Sequence, residues 1–277
     1  MKKYRLLIDT IDQKGLIYKI TEILYDHGTN IEKNNEFVDL AKNRFFMRTE
    51  IKGLVNEEKL LKDLRSTLSS HNKIDLISGA PKDIVLMVTK ESHCLGDLLI
   101  RYQNQELNAN IKGIISNHNN LAELVESFSL PFFYISHQDL SREEHEEKVL
   151  SVLEQLQPEI IVLAKYMRIL SQNFVSKYEE KILNIHHSFL PSFIGSNPYK
   201  QAYERGVKII GATAHFVNEN LDDGPIIAQD VINIDHSLSW MEMQKAGRDV
   251  EKIVLARALN LVLEDRIFTQ ENKTIIF

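Results

Sequence analysis

The chain predicts an α/β protein in two parts: a small βαββαβ unit over residues 1–80, then an open, mainly parallel sheet over residues 81–277. Three observations lead there. The first part sets two helical stretches among short strand-like ones in a βαββαβ order. From Asp83 onward, short β-branched runs alternate with amphipathic helical spacing. Between the two lies Ser78-Gly79-Ala80-Pro81, a run of turn-forming residues. At 277 residues the chain is long enough for each part to bury its own core.

In the first part Tyr4 to Ile8 reads as a strand, and Ile17, Ile20, Ile23 and Leu24 recur at helical spacing until Gly28, which can take the left-handed conformation that ends a helix. A short strand follows at Asn30-Ile31. The polar stretch Glu32-Lys33-Asn34-Asn35 lies after it, and strands resume over residues 36–40 and 44–51. Residues 54–70 read as the second helix and 73–77 as the last strand.

This order, with Asp12-Gln13-Lys14-Gly15-Leu16-Ile17 between first strand and first helix, resembles the ferredoxin-like ACT domain. The resemblance implies pairing between copies of the chain and a small-metabolite site, frequently for an amino acid. Asp12, Gly15, Leu16, Asn30 and Ile31 are its candidate residues. Pairing without any ligand is the plainer alternative, since a glycine before a helix is common.

In the second part strands are expected at residues 84–88, 113–117, 132–135, 160–164 and 182–185, with helices between them, such as 142–157. Residues 240–264 read as a long closing helix, and 266–268 with 273–277 as a terminal hairpin around Glu271-Asn272. Ligands of such sheets sit beyond the carboxyl ends of the strands. Every chemically suggestive cluster falls at one of those ends.

Composition excludes several classes. With 33 Lys+Arg against 39 Asp+Glu the net charge is -6, which offers no bulk attraction to nucleic acid or anionic lipid. No apolar run approaches the length of a membrane helix, and Met1 to Asp9 lacks a signal-peptide core. The single cysteine, Cys94, cannot form an intramolecular disulfide, so a cytoplasmic protein is expected. Cys94 reads as a small packed side chain at a helix start.

The densest chemical signal is Asn184-Ile185-His186-His187-Ser188-Phe189-Leu190-Pro191, followed by Leu221-Asp222-Asp223-Gly224-Pro225. If the first run leaves a strand, Asn184 and His186 point to the same side and can meet one carbonyl oxygen. Together with Gly211-Ala212-Thr213-Ala214-His215-Phe216-Val217, these runs resemble the catalytic core of the folate-dependent formyltransferase family, a Rossmann-like fold. Residues 184–229, His93 to Leu99 and Ile115-Ser116-Asn117-His118 are most similar to its hydrolytic branch, which splits 10-formyltetrahydrofolate into formate and tetrahydrofolate.

The resemblance implies Asn184, His186 and Asp222 as catalytic residues, 10-formyltetrahydrofolate and water as reactants, no permanently bound cofactor and no metal. It further implies a role in supplying formate to purine synthesis and a homo-oligomer. Amide hydrolysis needs a stabilised oxyanion, a proton for the leaving nitrogen and an oriented water. Asn184 and a protonated His186 can donate to the oxygen, His186 can then protonate the leaving nitrogen, and Asp222 can hold the water or take its proton. Met167, Arg168, Ile169 and Leu170 resemble the segment that lines the pterin pocket, with Val217 and the stretch to Asp222 as the opposite wall. Ordinary core packing is the alternative for Met167, Ile169 and Leu170.

His215 is expected to support the carboxylate or the water, or to be a satisfied structural histidine. A zinc site at His186, His187, His215 and Asp222 is disfavoured, because adjacent His186 and His187 should face opposite sides of a strand. The glycine-rich phosphate loop of the family's glycinamide ribonucleotide formyltransferases is missing after the strand at 84–88, where Thr89-Lys90-Glu91-Ser92 stands instead. This disfavours formyl transfer to an amine acceptor. A non-catalytic metabolite sensor is the third reading, and the intact Asn184, His186 and Asp222 count against it.

Overall fold

Backbone hydrogen bonding builds two sheets of opposite character in the computed structural model, which describes residues 2–68, 72–193 and 197–277. The chain divides into two compact units. One is Met1–Ala80 with Asp265–Phe268 and Ile275–Phe277; the other is Pro81–Glu264 with Thr269–Thr274.

The first unit runs β1 (Lys2–Ile11), α1 (Leu16–Asp26), β2 (Asn30–Asp39), β3 (Arg44–Gly53), α2 (Glu57–Thr67) and β4 (Lys73–Ser78). Its sheet has the order β2-β3-β1-β4, and each pairing is antiparallel. Alternate residues of β1, Tyr4, Leu6 and Ile8, point to the helical face, where Leu16, Ile20 and Leu24 of α1 and Leu60 and Leu64 of α2 cover them. The helices therefore hold this sheet through one apolar stripe each.

Three boundaries differ from expectation. β2 is one continuous strand that includes Glu32 to Asn35, with a bulge between Ile31 and Lys33. It is the edge strand and largely exposed, so water meets most of the polar run, which discourages pairing with strangers. α2 starts at Glu57, where the Asn56 side chain accepts from the Lys59 N–H, and ends at Thr67. The expected extension to Ser69 and Ser70 lies outside the described residues. The C-terminal segment also returns to the first unit, which a single division after residue 80 does not contain. There the Phe268 ring meets Phe46 at 5.5 Å, buried Arg48 donates to the Asp265 carbonyl at 3.0 Å, and Arg5 pairs with the Asp265 carboxylate at 2.8 Å.

The second unit alternates β5 (Lys82–Val88), α3 (His93–Gln103), β6 (Ala109–Ser116), α4 (Ala122–Glu126), β7 (Phe132–Tyr134), α5 (Arg142–Leu156), β8 (Ile160–Leu163), α6 (Gln172–Lys177), β9 (Ile182–His186), α7 (Pro198–Arg205), β10 (Ile209–Phe216), β11 (Ile226–Asn233) and α8 (Trp240–Leu263). The terminal hairpin is β12 (Ile267–Gln270) and β13 (Lys273–Ile276). The seven-stranded sheet has the order β11-β10-β9-β8-β5-β6-β7, parallel from β9 through β7, with β10 and β11 antiparallel at the other edge. Ile84 to Val88 are fully buried, as a strand covered on both faces requires.

The connections from β5 and β8 leave in opposite directions across the sheet, which opens a crevice at their carboxyl ends. The loop from β10 to β11 folds back tightly: the Phe216 N–H donates to Pro225 O at 3.0 Å, and a Cβ at Gly224 would lie 1.7 Å from Phe216 O. Only glycine leaves room for that approach. Gly224→Ala is therefore expected to lower stability by about 1–3 kcal/mol in urea unfolding, the scale of an overpacked site. An unchanged unfolding midpoint would show that the loop yields.

Candidate active site

β9 carries Asn184 and His186 on one side, two residues apart, and its antiparallel partner β10 brings His215 opposite Asn184 and Thr213 opposite His186. His215 is buried. Its Nδ1 lies 2.9 Å from Phe216 O and its Nε2 3.1 Å from Asn184 Nδ2. A carbonyl can only accept, so the hydrogen bonds assign the proton to Nδ1, and Nε2 accepts from the Asn184 amide. Burial pushes the His215 pKa down, against the pull of the Phe216 carbonyl and of Asp222, which keeps the ring neutral.

Asp222 arrives from the β10–β11 loop with a left-handed backbone, φ 55°. Its Oδ1 lies 3.2 Å from His186 Nδ1 and 4.0 Å from His215 Nε2. Burial raises this carboxyl. The His186 hydrogen bond and the neighbouring imidazoles outweigh it, so the net shift is below the usual carboxylate value and the group is ionised. His186 Nε2 is buried and has no hydrogen-bond partner among the described residues. An orphaned nitrogen at that depth is costly unless a ligand meets it.

These groups open into a cavity of about 440 Å³ at the carboxyl ends of β8 and β9. Met167, Arg168, Ile169 and Leu170 line one side, with Val217 and Leu221 among the other lining residues. Met167, Ile169 and Leu221 are more than half exposed, which gives the walls an apolar surface that no core packing covers. Leu170 and Val217 do pack on the core, so the packing alternative holds for Leu170 alone of the three side chains it covered. Two buried acceptors fix the segment: Thr89 Oγ1 takes the Met167 N–H at 2.9 Å, and Glu146 takes the Ser171 N–H at 2.8 Å.

His187 corrects an expectation. β9 ends at His186, so strand alternation no longer holds at the next residue; both imidazoles line the cavity, with ring centroids 5.2 Å apart. Burial and then the positive charge of Lys165 push the His187 pKa down to about 3.

Sequence reasoning missed the groups behind it. Lys165 is buried at the cavity wall, 3.2 Å from Glu251, which also receives Tyr199 Oη at 2.6 Å and His93 Nε2 at 2.8 Å. The available signal was Glu251 itself, a carboxylate on the apolar stripe of Val250, Val254, Leu255 and Leu259 in α8. His93, Cys94 and Glu251 bring donor atoms within 4.8 Å of one another. They make a poor cation site, because the Lys165 ammonium already holds the carboxylate and burial pushes the Cys94 thiol well above its ordinary pKa.

The residues suggested for an effector are not gathered in one place. Leu16 is part of the core of the first unit. Gly15 and Asp12 follow the end of β1, whereas Asn30 pairs with Lys52, which itself pairs with Lys3 at the start of β1. The length of the sheet separates them within one chain.

Neutral His187 sets a pH dependence. Folded, it takes up a proton only near pH 3, against an ordinary value of 6.5, so the unfolded chain binds more protons between the two and stability falls as pH drops through that window. In urea unfolding, His187→Gln is expected to flatten this slope by up to about 1.4 kcal/mol per pH unit. An unaltered slope would mean that the imidazole is charged in the folded chain.

Comparison with known proteins identifies the family. The sequence matches the formyl transferase family over residues 82–259. It is 54% identical to the formyltetrahydrofolate deformylase of Haemophilus influenzae, covering 100% of this chain and 99% of that one. Against the Escherichia coli deformylase it is 55% identical over 96% of this chain and 95% of the other. The crystal structure of a formyltetrahydrofolate deformylase from Pseudomonas syringae superimposes with a TM-score of 0.95 at 39% identity, covering 100% of this chain and 95% of that one. By sequence and by fold, the chain belongs to the formyltetrahydrofolate deformylase family.

Proposed function

We propose that the chain hydrolyses 10-formyltetrahydrofolate to formate and tetrahydrofolate, with Asn184, His186 and Asp222 as the catalytic residues. The observation that carries the reading is the unpartnered, buried His186 Nε2, beside the Asn184 amide and backed by an ionised Asp222. Kinship with named deformylases supports the substrate.

In its imidazolium form His186 has two donors. Nδ1–H goes to Asp222 and Nε2–H to the formyl oxygen. The Asn184 amide uses one N–H on His215, and its second N–H is the other donor for that oxygen. The free oxygen of Asp222 takes a proton from water as the water oxygen bonds to the formyl carbon. The C–N10 bond then breaks and His186 Nε2 gives its proton to N10; the formic acid so formed loses its hydroxyl proton to solvent and becomes formate, and solvent carries the proton on Asp222 back to Nε2. The pterin ring lies between Met167, Ile169 and Leu170 on one side and Val217 to Asp222 on the other, with Arg168 beside it.

The first unit reads as an ACT domain, on its βαββαβ order and its sheet order β2-β3-β1-β4. Since Asp12 and Gly15 are remote from Asn30 and Ile31 in one chain, an amino-acid site using both sets would form only between two copies, as a homo-oligomer. In the cytoplasm, the reaction would set the one-carbon folate pool and supply formate for purine synthesis.

Purified protein is expected to release formate and tetrahydrofolate in equal amounts from 10-formyltetrahydrofolate, without an amine and with chelator present. Formate-free transfer to an added amine would point to a transferase, and no turnover with any acceptor to a sensor. Asp222→Asn and His186→Ala are each expected to slow release by about a hundredfold or more, the scale of a positioned acid, base or oxyanion donor. Near-normal turnover by a folded Asp222→Asn protein would remove the carboxylate from the mechanism.

A further inference from the structure

We propose that Lys165 is a further residue of the reaction: its ammonium receives the oxygens of formate as it forms and holds the small carboxylate product at the cavity wall beside His187. The inference rests on the hydrolytic reading above and adds where the anionic product goes.

The placement is costly, which argues for use. Lys165 is 4% exposed and takes a left-handed backbone, φ 67°, where a long side chain is uncommon. A buried lysine–glutamate pair is weak as a stabilising device, because both ions lose their water. Here it is nonetheless built from several elements. Glu251 is 1% exposed on α8 and receives Tyr199 Oη, His93 Nε2 and the Lys165 ammonium, from three other parts of the chain. Gly247, one turn earlier on α8, makes room for the tyrosine: a Cβ there would lie 2.1 Å from Tyr199 Oη. The assembly fixes the lysine from behind, since Lys165 lines the cavity and Glu251 does not.

The charges facing the cavity point the same way. Asp222 and Glu91 line it as carboxylates, but each has its own partner, His186 for the first and Arg248 at 3.2 Å for the second. Two cationic side chains of the lysine and arginine type line it among the described residues, Arg168 in the exposed pterin segment and buried Lys165. Glu251 divides its two oxygens among three donors, so the lysine is not its sole partner. Hydrolysis turns a neutral formyl group into an anion in this desolvated space. One oxygen of formate comes from the formyl group and the other from water, and the negative charge spreads over both once the acid formed by C–N cleavage loses its hydroxyl proton to solvent. An N–H of an ammonium is the strong donor for such an oxygen. Neutral His187 next to it adds no competing charge.

The test is binding of formate itself. Isotopically labelled formate is titrated into protein saturated with tetrahydrofolate and followed by nuclear magnetic resonance, and formate is assayed in parallel as a product inhibitor. Wild-type protein is expected to bind formate, and Lys165→Met to bind it about tenfold more weakly or worse, the worth of one charge-assisted hydrogen bond. Tetrahydrofolate affinity should stay close to wild type. If Lys165→Met fails to fold because buried Glu251 loses its ammonium, the Lys165→Met/Glu251→Gln protein removes both charges and takes its place. Formate binding unchanged by either folded variant, or absent from wild type, overturns the proposal. Because the titration needs no turnover, a chain that bound formate through Lys165 yet released none from 10-formyltetrahydrofolate would sink the hydrolytic reading instead.

Discussion

The pairing of β9 with β10 is the constraint on which the site depends. It sets Asn184 opposite His215, and the two side chains then determine each other: the Phe216 carbonyl fixes the histidine tautomer, and the tautomer fixes which way the amide of Asn184 faces. The same strand delivers His186 to the same side, and the β10–β11 loop, closed by Gly224, returns Asp222 to its Nδ1. A slip of one residue in that register would turn both side chains of β9 to the opposite face.

A second layer is electrostatic. Behind the cavity wall, Glu251 meets three donors; burial pushes its carboxyl up, but His93, Lys165 and Tyr199 outweigh this and bring its pKa to about 2. In a poorly solvated site such fixed charges act more strongly than they would in water. The β5–α3 connection contributes Glu91, tied to Arg248, where a phosphate-binding loop would need backbone N–H groups and no negative charge. Water, which needs no such anchor, is the acceptor that suits this wall.

Much of this was legible along the chain, and for local reasons. Strand and helix periodicity places the parallel sheet, because a strand buried on both faces requires a continuous apolar run such as Ile84 to Val88. The spacing of Asn184 and His186 needs only strand geometry to put them together. β2 was harder: its polar residues read as a break, yet an edge strand tolerates them because its outer backbone is unpaired and the strand is largely exposed. His187 was misplaced by extending alternation one residue past the end of β9.

The sequence by itself determined the element order, the two kinds of sheet and the residue types available for acyl chemistry, since these follow from short-range periodicity and from motifs a few residues long. Only the tertiary structure decided that His186 Nε2 stays unpartnered, that Lys165 from the loop after β8 meets Glu251 from α8, and that the C-terminal segment packs on Phe46 and Arg48. Such contacts join residues far apart in the chain, and desolvation, which gives each charge its consequence, exists only once the chain has closed around it.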